Sequence, residues 1–135
     1  MSHIEARVSS WSQNEAVQVR DVDELDCVID KITESECNDY PTVIEVEANG
    51  SVFRMAVGLP ESFVQITRDD RLQSRLVAVA DKDAEDTETF NFYFQGFHHS
   101  EIRRRNILAS SKARELCRAF VITGTIPNDI EWEEV

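Results

Sequence analysis

With 135 residues, 41% of them hydrophobic and 30% charged, the chain has the size and balance of one globular domain and excludes fibrous, membrane-spanning and disordered classes. Its 14 Lys and Arg stand against 26 Asp and Glu, a formal charge of −12, which repels phosphates and favours a basic protein over nucleic acid as partner. Three cysteines, Cys27, Cys37 and Cys117, without C-x-x-C spacing exclude a disulfide framework or a zinc knuckle. Neither a charged-then-apolar leader nor an apolar run of about 18 residues occurs, so a cytoplasmic protein is expected.

Residues 4–11, "IEARVSSW", and 16–20, "AVQVR", are candidate strands. Asp21 followed three residues later by Glu24 is an N-cap signature, and Val22, Leu25, Ile29 and Ile32 continue at helical spacing. The spacing predicts a helix to about Cys37, ended by the Pro41 that disfavours a helical Tyr40. The period then changes to two. "TVIEVEA" (42–48) and "SVFRMAVG" (51–58) flank Asn49-Gly50, the strongest short-range hairpin signal. "SFVQIT" (62–67), "RLVAVA" (75–80) and "TFNFYFQ" (89–95) extend the series as a meander, and Phe90, Phe92 and Phe94 are expected to pack under the helices.

After 89–95, Gly96 should break the strand, leaving His98, His99, Ser100 and Glu101 in a polar surface turn ahead of the basic triplet Arg103 to Arg105. A second helix should start near Ser110, with Ala113, Leu116, Cys117, Phe120 and Val121 as its buried stripe and Gly124 and Pro127 as its stop. Cys27 and Cys117 both fall in helical patterns and read as small buried hydrophobes. The chain closes on "NDIEWEEV". These elements predict one α+β domain spanning 1–135: a twisted antiparallel sheet of about five to seven strands with two helices on one face.

Chemistry is sparse. The four glycines are scattered, so no phosphate-cradling loop exists, and no G-x-S-x-G occurs. His98 and His99 are neighbours, which on a strand point to opposite faces and cannot readily chelate one ion. No catalytic residue, metal or cofactor is expected. What stands out is an aromatic anchor among acids: Trp132 between Glu131, Glu133 and Glu134, the composition that a lysine- and arginine-rich partner would meet. Asp69 and Asp70, and the acidic segment with Asp81, Asp83, Glu85 and Asp86, are the next candidates for partner contact. Trp132 could equally cap the core and fix the backbone that presents the glutamates.

The tail "FVITGTIPNDIEWEEV", the aromatic strand followed by "GFHHSEI", and the strand-into-helix "VRDVDELDCVIDKI" together resemble immunity protein family one of bacterial polymorphic toxin systems. His99 departs from that pattern, where an aromatic is commoner. The resemblance implies an α+β, non-enzymatic protein that binds and neutralises a cognate toxin domain, frequently a nucleic-acid deaminase, with no direct nucleic-acid or membrane binding. Such a toxin needs a basic cleft, which a −12 chain can fill. Two rivals stay open on the residues alone: a small ligand-binding enzyme with His98, His99 and Glu101 at its mouth, and an adaptor or nucleic-acid mimic for another basic protein.

Overall fold

In the computed structural model, which describes residues 5–11, 13–36, 41–68, 75–80, 89–94 and 98–134, apolar side chains recurring at every second residue form strands and those recurring at every third or fourth form two helices. In chain order the elements are β1 (Ala6–Ser10), β2 (Gln13–Val19), α1 (Val22–Glu36), β3 (Thr42–Ala48), β4 (Ser51–Val57), β5 (Glu61–Ser62), β6 (Val64–Thr67), β7 (Arg75–Val79), β8 (Thr89–Phe94), β9 (His98–Arg103), β10 (Leu108–Ala109), α2 (Ser110–Thr123) and β11 (Glu131–Glu134). A 3-10 turn, Arg104–Asn106, follows β9. Seven strands make one antiparallel sheet in the order β11-β7-β6-β4-β3-β1-β2. The fold is α+β.

Local chemistry sets the element ends. Asp21 caps α1, its Oδ1 accepting the Glu24 N–H at 2.8 Å, which satisfies one of the helix's orphan donors. Asn49 and Gly50 carry φ of 52° and 79°, the pair of positive values that a tight hairpin needs and that this dipeptide supplies at least cost. Gly124, at φ 68°, ends α2 in the left-handed region, its N–H donating to the Phe120 carbonyl at 2.8 Å. The Asn49 side chain meets it there: Nδ2 donates to the Gly124 carbonyl at 3.0 Å.

The sheet's two faces differ. Val8, Ile44, Val46, Phe53, Met55 and Ile66 project to one side and bury against Leu25 and Ile29 of α1 and Ala113, Leu116, Cys117 and Phe120 of α2, so both helices lie on that face. Phe53 and Phe120 stack across it with ring centroids 5.5 Å apart, and each fully buried ring of this kind stabilises by roughly 2–3 kcal/mol. The other face carries a smaller cluster. Val43, Ala56 and Phe63 are buried there with Phe92 from β8, and Ile102 and Ile107 pack at its margin. Phe63 and Phe92 meet edge-on at 5.5 Å.

That second cluster corrects three expectations. β8 is not a further strand of the meander, because it pairs with β9 in a separate two-stranded sheet. Phe92 therefore packs on the face opposite the helices, Phe90 is 38% exposed, and the Phe94 side chain lies outside the described residues. His98 to Arg103 is a strand and not a turn, since pairing with β8 supplies its backbone bonds. Gly96 lies outside the described residues. Cys27, expected inside, is exposed, because Leu25, Ile29 and Ile32 already define the buried stripe of α1 and Cys27 falls on its solvent side. Cys37 lies outside the described residues.

Candidate functional site

The C-terminal segment predicted to meet a partner is organised by one side chain. Beyond Gly124, Ile126, Ile130 and Trp132 pack on the main core, each partly buried. The Trp132 indole Nε1 donates to the Pro127 carbonyl at 2.7 Å, which satisfies the ring's single polar atom. Trp132 is opposite Ala78, and Glu131 and Glu133 are opposite Val79 and Val77, so side-chain alternation turns these two glutamates to the face away from the helices.

Glu133 is engaged there within the fold. Its Oε2 lies 3.2 Å from Arg105 Nη2 and its Oε1 accepts from Asn106 Nδ2 at 3.1 Å. Asn106 is buried, and the same Nδ2 donates to the Ala78 carbonyl at 3.0 Å. The Ala80 N–H donates to the Arg105 carbonyl at 2.7 Å. Together these bonds clamp the 3-10 turn onto β7 and β11. Of the four residues expected at the partner contact, Trp132 and Glu133 hold the fold together, whereas Glu131 and Glu134 are exposed. Asp69, Asp70, Asp81, Asp83, Glu85 and Asp86 lie outside the described residues. Arg105 and Asn106 were not among the expected site residues. The opposite charge of the 103–105 triplet and the acidic tail was the signal that could have paired them.

A second acidic surface, on α1, was not singled out from the sequence. The helix exposes Asp23, Glu24, Asp30 and Glu34, with Asp21 exposed at its cap. The basic residues of the neighbouring α2 do not extend this surface, because they are drawn into pairs. Arg118 makes a fork to Asp26, Nε to Oδ1 and Nη2 to Oδ2 both at 3.0 Å, and that hydrogen-bonded carboxylate raises the guanidinium's pKa. Arg114 Nη1 donates to Asp30 Oδ1 at 2.8 Å. Lys112 Nζ donates to Asp129 Oδ2 at 3.0 Å, and the bond raises the ammonium's pKa and lowers the carboxyl's. Two of these pairs neutralise Asp26 and Asp30 of α1, while Asp21, Asp23, Glu24 and Glu34 remain exposed beside them.

Cys117, fully buried on α2, is placed poorly for covalent chemistry. Burial pushes the Cys117 thiol up from 9.0 to about 12, far from a nucleophilic thiolate at neutral pH. Among the described residues no three His, Cys, Asp or Glu side chains stand together as a metal set. His98 and His99 lie on β9 opposite Phe94 and Tyr93. A cleft of about 560 Å³ at the start of α2 is lined by Thr33, Leu59, Pro60, Ser110, Ser111 and Arg114 among others. Its guanidinium, Arg114, is the one already bound to Asp30.

No curated protein matches the chain. Residues 13–134 match the family described as Immunity protein Imm1, a span that runs from the first residue of β2 to the last of β11.

Proposed function

Because the chain belongs to the Imm1 immunity protein family, we propose that it binds a basic, nucleic-acid-targeting toxin domain and neutralises it by covering that domain's active site or substrate cleft. What supports this choice of partner is charge. A toxin that grips DNA or RNA must present cations to the phosphates, and a chain of −12 whose α2 cations are bound to its own carboxylates is the complementary body. A deaminase is the class that fits the blocking mode best, since its target base must be turned into a pocket that a protein cover can close.

The chain itself supplies no reaction step in this mechanism and works in the cytoplasm, where the toxin would meet the producing cell's nucleic acid. No helix among the described residues is long and apolar enough to cross a membrane. Glu131 and Glu134, with Asp69, Asp70, Asp81, Asp83, Glu85 and Asp86, contribute to the field that steers the toxin inward, a role that acts on association rate. Trp132 and Glu133 serve it indirectly by fixing β11. Protection requires very little free toxin, so the affinity should be nanomolar or tighter, about −12 kcal/mol or more favourable.

The test is to mix the purified protein with the toxin domain encoded beside it. Co-elution on size exclusion, with loss of the toxin's nucleic-acid-modifying activity at one equivalent, is the expected result. Separate elution with undiminished toxin activity overturns the proposal.

A further inference from the structure

The sheet has two edges, and among the described residues one lacks the protection that edges ordinarily carry. Natural edge strands are kept from pairing with other chains by being short, by charges, by proline or by cover. β11 conforms, with four residues of which three are glutamates. β2 does not. It runs for seven residues, Gln13 to Val19, with no proline and with Glu15 as its only charge. It pairs with β1 on one side, and among the described residues no strand pairs with it on the other.

Two further observations lie beside that edge. Between β2 and α1 is a cleft of about 290 Å³ whose lining includes Val8, Val17, Val28 and Ile32, with Glu15 and Lys31 among its polar residues. Val17 stands 47% exposed beside it. The flank is acidic: residues 13–36 hold eight Asp and Glu against Arg20 and Lys31. Asp26 and Asp30 are matched by Arg118 and Arg114, and Glu15, Asp21, Asp23, Glu24 and Glu34 are exposed.

From these we infer that the open edge of β2, with its apolar cleft and the acids of α1, is the surface on which the toxin docks: an extended toxin segment adds to β2 as an outer strand, sets an apolar side chain over Val17, and directs Lys or Arg to Glu15 and Glu24. The inference rests on the immunity function proposed above and names its contact surface. Main-chain pairing with β2 provides affinity that is indifferent to side chains, and the cleft and acids provide selection. Charge identifies the occupant. A second copy of this chain would bring two bodies of −12 together with both α1 flanks at the seam, whereas a basic segment gains from the same field.

Amide hydrogen exchange of the chain, free and with the adjacent toxin domain bound, tests the inference. Amides within Gln13–Val19 should slow at least about tenfold on binding while those of Glu131–Glu134 exchange as before. Val17→Lys, at a half-exposed site, places an edge lysine against a basic partner and should weaken binding at least about tenfold through faster dissociation. The pair Glu15→Lys and Glu24→Lys, at exposed positions, should do the same while leaving Val17 and the apolar lining of the cleft in place. Protection confined to Glu131–Glu134, or wild-type binding by these variants, overturns the inference while leaving the immunity function standing. A chain that forms no complex at all overturns both.

Discussion

At one end of the sheet β11 is short, acidic and tied down by Trp132 and by the contacts of Glu133 with Arg105 and Asn106; at the other β2 is longer, nearly uncharged and beside an apolar cleft. Glutamates of like kind in sequence thus do different work by position. On β11 they make the edge unattractive to another strand and hold a turn in place, whereas on and beside β2 the acids border an edge that no other strand among the described residues pairs with. An acidic motif that catches the eye in the sequence is therefore a poor guide to where contact occurs unless its internal partners are known.

The contrast can be broken most severely at Trp132. Trp132→Ala removes the packing of a half-buried ring and its bond to Pro127, and should cost about 3 kcal/mol in urea unfolding; a loss under about 1 kcal/mol would show that β11 is not held from within. Asn106→Ala should cost about 2 kcal/mol, because the buried Ala78 carbonyl and the Glu133 carboxylate both lose a donor. Val17→Thr at the other edge should change stability by less than about 0.5 kcal/mol, as thermal unfolding can verify, since that side chain is already half in water. Glu134→Lys should slow association with the toxin about twofold at low salt and leave dissociation unchanged in stopped-flow traces, the reverse of the pattern expected at β2.

The smallest effect concerns pH and the approach to β11. Lys112 lowers the pKa of Asp129 from its ordinary 3.8, so the contribution of their pair is present above that value and is lost as pH falls through the lowered one. The raised pKa of Lys112 keeps the pair intact below 10.5 and lets it go only as pH rises past the raised value. Asp129→Asn should flatten both small slopes in stability measured against pH.

Much of the architecture was legible because its signals are local. The Asp21–Glu24 cap, the stripe from Ala113 to Val121, the Asn49-Gly50 turn and the Gly124 stop each depend on a few adjacent residues, and each stands where the pattern put it. The second cluster was not legible in the same way. Alternating phenylalanines announce that Phe92 is buried without saying against what, and Val43, Ala56 and Phe63, which receive it, stand in or beside strands whose main apolar phase faces the helices. They were apolar residues on the opposite phase, and that was the clue. Strand β9 was hidden because His, Ser, Glu and Arg have little intrinsic preference for a strand and took that form from pairing with β8. The candidate site was less legible still: the sequence marks Trp132 and its flanking glutamates, but whether Glu133 faces a partner or Arg105 is decided by a contact between distant segments.

One small contact carries a chemical liability. Asparagine followed by glycine is the pair most prone to lose its side-chain amide by hydrolysis, and Asn49 is here both the corner of a hairpin and a donor to the end of α2. Deamidation would turn that donor into a carboxylate, which can only accept, facing the Gly124 carbonyl. Ageing of the protein would then begin as repulsion between a turn and a helix end 75 residues apart in the chain.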